Sequence, residues 1–201
     1  MTESNARRAR GSYTKGRAKR AEILRHAVLV FAESGYRGGS LKEIADGVGL
    51  TQAGLLHHFS SKEQLLAEVL DERDGADLSR LDGERGWAFI QAVADLVRHN
   101  ATVPGLVQLY ATLSGEAVAE DHPAHAFFTD RYRRIRGLLA EALHAAKADG
   151  DVTADLDVDA TTVSMIALMD GLQIQWLLDR DTVDMPAVLE AFLARLRPPG
   201  R

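Results

Sequence analysis

Apolar residues recur every three or four positions along almost the whole chain, and nowhere do they alternate over the length of a strand. The spacing predicts an all-α protein of about nine helices. From Arg17 to Ser34, Leu24, Ala27, Val28 and Phe31 fall at i, i+3, i+4 and i+7, and Gly35 ends the helix. Gly38-Gly39 gives the following loop a tight path, under which Tyr36 packs or beside which it reaches a phosphate. Ser40 and Glu43 carry the S-x-x-E sign of a capping box, and Leu41, Ile44, Ala45 and Val48 give the next helix one apolar face. Gly49 suits the left-handed conformation of a helix end, and Thr51 can cap a helix to His58 whose inner contacts are Leu55, Leu56 and Phe59. Two helices of about seven residues joined by a short Gly-bearing turn have two readings. One is a tight helical hairpin; the other is a helix-turn-helix whose second helix enters a DNA major groove.

After Phe59, Ser60 or Ser61 caps a longer helix, with Glu63 or Gln64 as reciprocal partner and Leu65, Leu66, Val69 and Leu70 on its inner face. It runs toward Asp77, and Gly75 and Gly83 mark where it frays or ends. Beyond it the pattern predicts helices over Trp87–His99, from Pro104, from Pro123 to Lys147, over Ala160–Leu178 behind Asp157 or Asp159, and after Pro186. Residues 1–16 are polar and basic without periodicity, the pattern of a disordered arm. Its Arg7, Arg8 and Arg10 either touch phosphates or a minor groove, or belong to a solvated tail.

The formal net charge of −5 hides an asymmetry: residues 1–62 carry +6 and the remainder −11. A basic first third on an acidic body fits a nucleic-acid-binding end joined to a domain that avoids nucleic acid. With 46% hydrophobic and 26% charged residues the chain is of the folded, globular class. No apolar run reaches the ~18 residues of a membrane span, the N-terminus has no signal-peptide core, and there is no cysteine. A soluble cytoplasmic protein is the expectation, with no membrane partner and no cofactor. The sequence has no G-x-S-x-G, no phosphate-cradling GKS/T loop and no H-E-x-x-H, so an enzyme is not expected. His122 and His125, with Glu116, Glu120 and Asp121 nearby, could ligate a metal, but His122 precedes Pro123 and neither a cysteine nor a third nearby histidine joins them; the expectation is a polar helix start and no metal.

The run Ile44-Ala45-Asp46-x-x-Gly49-Leu50-Thr51, then Leu55-x-x-His58-Phe59-x-x-Lys62-Glu63-x-Leu65, decides between the two hairpin readings. It resembles the N-terminal DNA-binding domain of TetR-family transcriptional regulators from about Arg20 to Leu70. The resemblance implies three parts: the arm (1–16), a three-helix helix-turn-helix domain (17–62), and a larger helical effector-binding and dimerisation domain (63–201). It also implies a homodimer on a palindromic double-stranded DNA operator, most simply a repressor released by a small organic effector. A DNA-binding protein without an effector, or an activator, are the alternatives.

On the recognition helix, Thr51 can offer its hydroxyl and backbone N–H to a phosphate, and the Gln52 amide can pair with adenine N6 and N7. Ala53 and Gly54 permit close approach, Ala53 to a thymine methyl, while His57 and Lys62 can reach phosphates. His58 matches the family's structural histidine. The sequence departs from the family at Leu56, where a phosphate-binding tyrosine is usual. The resemblance further implies a body cavity, for which Trp87, Tyr110, Phe127, Phe128, Tyr132, Met169, Gln173 and Trp176 are candidates. It implies a two-fold interface formed by the last two helices, for which Met165, Ile166, Leu172, Leu189, Phe192 and Leu196 are candidates.

Overall fold

A computed structural model describes residues 3–199, with side chains from Lys15 onward. These residues form nine α-helices and no strand. The chain divides into two compact units, the first ending at Glu72 and the second starting at Arg73.

In the first unit, α1 (Glu3–Gly38) is interrupted at Gly35, whose φ of 66° breaks the helical path. The break lies where the periodicity ends the helix. The backbone from Glu3 is continuous with α1, so the helix takes in most of the stretch read as an arm; the side chains of Arg7, Arg8 and Arg10 lie outside the described residues. Ile23, Leu24, Ala27, Val30 and Phe31 form its buried face. That face extends the expected stripe by Ile23 and Val30, while Val28 is only half-buried.

α2 (Leu41–Gly47) packs on α1 and α3 (Gln52–Leu56) packs on α2. Ser40 caps α2 by accepting the Glu43 N–H at 3.1 Å. Gly49, at φ 66°, reverses the chain after it, and the Leu50 N–H donates back to the Ala45 carbonyl at 2.9 Å. α1 meets α2 closely at Gly47, where a Cβ would stand 1.8 Å from His26 Nε2 and the imidazole would have to move. α4 (Lys62–Leu81) is capped by Ser61, which accepts the Gln64 N–H, while Gln64 Oε1 accepts the Ser60 N–H. Leu65, Leu66, Val69 and Leu70 are buried, and Arg20 of α1 forms an ion pair with Glu68. These contacts assign the start of α4 to the first unit. The unit boundary therefore falls ten residues beyond the expected one at residue 62.

In the second unit, α5 (Gly86–Asn100), α6 (Pro104–Glu116), α7 (His125–Ala148), α8 (Val158–Leu178) and α9 (Met185–Ala194) share one core with the last turns of α4. α7 lies against α5 and α8, and α9 against α5 and α8. α7 starts two residues after Pro123 rather than at it. His122 Nδ1 accepts the Ala124 N–H, His125 Nδ1 lies 2.8 Å from the Ala117 carbonyl, and these bonds hold a turn that delays the helix. Asp157 and Asp184 cap α8 and α9 through the N–H groups of Ala160 and Ala187. No helix among the described residues is long and apolar enough to cross a membrane.

Candidate nucleic-acid interface and ligand cavity

α3 is short because Thr51 starts it and the chain turns away at His57. Thr51 Oγ1 accepts the Gly54 N–H at 3.1 Å, which leaves its O–H as a donor toward a phosphate. Leu55 and Phe59 are fully buried and fix the helix on its inner side. Gln52 and Ala53 are exposed on the other side, as are Leu56 and His57. The chemistry on that face is one amide, one methyl and one imidazole, with Leu56 placing an apolar side chain among them. Gly54 is half-buried, and a Cβ there would meet Thr51 Oγ1 at 3.3 Å, so the residue helps the cap to close.

Lys62, at the start of α4, holds its Nζ 4.4 Å from the centre of the Tyr36 ring. The Tyr36 hydroxyl donates to Glu63, which lowers the Glu63 pKa; burial and the same carboxylate raise that of Tyr36. A lysine at a helix N-terminus is disfavoured by the dipole. Here the tyrosine face and the adjoining carboxylate offset that cost, so an external phosphate is not the sole explanation for Lys62. Tyr36 itself is buried and packs, with its ring 6.3 Å from Phe31.

The second unit holds two adjoining, partly open chambers. The first, of about 40 Å³, is polar and lies among Arg73, Tyr110, Ser114, Phe128 and the residues it shares with the second. The second, of about 110 Å³, is lined by apolar side chains including Leu81, Phe89, Leu96, Ile135, Leu138 and Met169. Asp77, Asn100, Arg131, Tyr132, Asp170 and Gln173 form their common wall. Of the pocket candidates, Tyr110, Phe128, Tyr132, Met169 and Gln173 are at the chambers. Trp87, Phe127 and Trp176 line neither: Trp87 lies under Arg197, Phe127 stands edge-on to Phe128, and Trp176 is buried under Arg180.

The charged wall is what the sequence did not reveal. Asp74 and Asp77 are 6% and 8% exposed. Arg131 Nε donates to Asp74 at 2.9 Å, Arg134 bonds the other oxygen of the same carboxylate, and Arg73 Nη1 stands 2.8 Å from Asp77 Oδ1. Despite that ion pair, Asp77 Oδ1 has no hydrogen bond of acceptable geometry, and neither has Arg73 Nε. Tyr132 donates to Asp170 at 2.8 Å. Burial raises the pKa of both Asp77 and Asp170, against the guanidiniums nearby, and pushes the Tyr110 and Tyr132 hydroxyls up to about 12. One signal was available in advance: after Asp159, Asp170 is the sole charged residue of an otherwise apolar helix.

Of the interface candidates, Met165, Ile166, Leu172, Leu189 and Leu196 are 0–8% exposed within this one chain. Phe192 is half-buried beside a shallow apolar groove with Leu168, Val188 and Ala191. The exposed apolar side chains on these helices are Val163, Ile174, Leu178 and Val188, at 42–83%.

Residues 23–69 match the model of the bacterial regulatory proteins of the tetR family, and residues 88–198 match that of the C-terminal domain of BetI-type transcriptional repressors. The HTH-type transcriptional repressor KstR2 of Rhodococcus jostii is 31% identical over 163 residues, covering 73% of this chain and 74% of that one. A solved TetR-family regulator from Agrobacterium tumefaciens superposes with a TM-score of 0.77 at 19% identity, over 91% of this chain and 100% of that one. The crystal structure of a transcriptional regulator from Saccharomonospora viridis in complex with choline superposes with a TM-score of 0.73 at 22% identity, over 87% and 95%.

Proposed function

The chain belongs to the TetR family of bacterial transcriptional regulators, and from that premise we propose that it works as a ligand-released homodimer on a palindromic operator. It is a DNA-binding transcriptional repressor by membership, in a family of regulators rather than enzymes. The observation that carries the reading of the interface is the outward display of Gln52 and Ala53 on a helix capped by Thr51 and anchored by Leu55 and Phe59. Gln52 reads a base edge, Ala53 meets a neighbouring base, and Thr51, His57 and Lys62 position the helix on phosphates. The +6 charge of residues 1–62 supplies the sequence-independent attraction.

Two copies join through the apolar side chains that α8 and α9 leave exposed, Val163, Ile174, Leu178 and Val188. A two-fold dimer then presents two α3 helices to half-sites about one turn (~34–36 Å) apart. The cavity of the second unit receives a small organic effector. α4 carries wall residues of that cavity (Arg73, Asp74, Asp77, Leu78 and Leu81) and, at its other end, Lys62. An effector that binds more tightly when α4 is repositioned favours the released state, and without such a difference it shifts nothing. Cytoplasmic location follows from operator binding.

The test is selection of bound duplexes from a random pool at near-physiological salt. Enrichment of an inverted repeat supports the dimeric reader. A folded protein that enriches a single unrepeated half-site contradicts it.

A further inference from the structure

We propose that the effector is a small protonated amine on an apolar body, with its N–H groups held by Asp170; this rests on reading the cavity as an effector site. Three carboxylates, Asp74, Asp77 and Asp170, line the chambers against two guanidiniums, Arg73 and Arg131. Both guanidiniums are engaged. Arg73 faces Asp77 and donates to Asn100, and Arg131 bonds Asp74 while lying 4.7 Å over the Tyr110 ring. Arg134 adds a second bond to Asp74 from outside the chambers. Asp170 is thus the carboxylate of the three with no ion pair, Arg131 acting on it only through space.

One Asp170 oxygen accepts from Tyr132, and the other has no partner among the described residues. Gln173, one turn further along α8, leaves its amide unpaired in the same wall. These groups want donors. An N–H donor that carries charge satisfies Asp170 most strongly, since charge-assisted hydrogen bonds are roughly twice as strong as neutral ones. A quaternary ammonium cannot donate, and it depends on open aromatic faces. Here Arg131 lies over the Tyr110 ring, and the Tyr110 and Phe128 rings meet edge to face with their centres 5.9 Å apart.

The apolar chamber beside Asp170 takes the rest of the molecule. With its polar neighbour, the volumes of about 110 and 40 Å³ approach the ~150 Å³ that admits a benzene ring. The −11 charge of residues 63–201 favours approach of a cation.

Four probes of one shape test this against the full-length protein at pH 7, by calorimetry or ligand-observed NMR: benzylamine, benzyltrimethylammonium, benzyl alcohol and benzoate. Benzylamine should bind tightest, at least ~10-fold above the alcohol and benzoate. Asp170→Asn retains an acceptor for Tyr132 and should bring benzylamine close to the alcohol; the wild-type ranking stands as a test without any variant. Equal or tighter binding of the alcohol or benzoate overturns the amine and leaves the effector cavity in place. Tightest binding of the trimethylammonium overturns the N–H contact to Asp170, as does an undiminished preference in a folded Asp170→Asn. Binding of none of the four overturns the effector cavity and the amine together.

Discussion

Lys62 and Asp170 are the two side chains whose proposed roles are tested one residue at a time. Lys62 lies against Tyr36 at a helix end where positive charge is disfavoured. Its proposed role is a phosphate contact, from which Lys62→Ala should weaken all duplexes alike and lower the magnitude of the salt slope by about 1. A loss confined to certain sequences, measured by anisotropy across a salt series, would remove Lys62 from that role. For Asp170 the sign follows from its raised pKa, caused by burial. The folded state holds the proton more tightly than the unfolded chain, so this residue's contribution to stability falls as pH rises from the ordinary carboxylate range through the raised pKa. Asp170→Asn should therefore gain stability relative to wild type as pH rises through that window and lose the advantage below it. Denaturant melts across pH read this directly, and a difference that does not change with pH would contradict it.

Among the elements, α4 is the one whose two ends serve different units. The chain has no cysteine, so cysteines at Asp74 and Arg134 can be joined by a short bis-maleimide. That bridge replaces an ion pair between α4 and α7. The crosslinked protein should bind its operator and fail to release it with effector; unchanged release would end the lever mechanism. Helix boundaries were largely legible because their causes are local. Ser40, Thr51 and Pro104 each mark a start, and Gly35 and Gly49 take positive φ where the periodicity stops. The start of α7 was not, because Pro123 is followed by a turn held by two histidines. The face of α3 was legible except at Leu56, which was expected as an inner contact and is exposed: burial of Leu55 and Phe59 alone sets the phase. The cavity wall was only half legible. Aromatic residues such as Tyr110 and Tyr132 stood out as candidates, but Asp77 and Asp170 come together only through tertiary packing of α4 on α8's neighbours.

At the scale of the molecule, α8 and α9 leave Val163, Ile174, Leu178 and Val188 open to water. An isologous interface repeats every substitution twice. Ile174→Glu should cost the dimer at least ~2 kcal/mol, through lost apolar burial and two carboxylates placed in the contact. Sedimentation should then show dissociation at concentrations where wild type is dimeric, with operator affinity falling in parallel; a wild-type sedimentation profile would move the interface elsewhere. Base reading and two-fold symmetry meet in one measurement, duplex selection run side by side on wild type and Gln52→Ala. The expected result is an inverted repeat for wild type and, for the variant, the same repeat with preference relaxed at one pair of symmetry-related positions, at ~1–3 kcal/mol per half-site. An unaltered site, or a uniform loss of enrichment across all positions, would contradict the account.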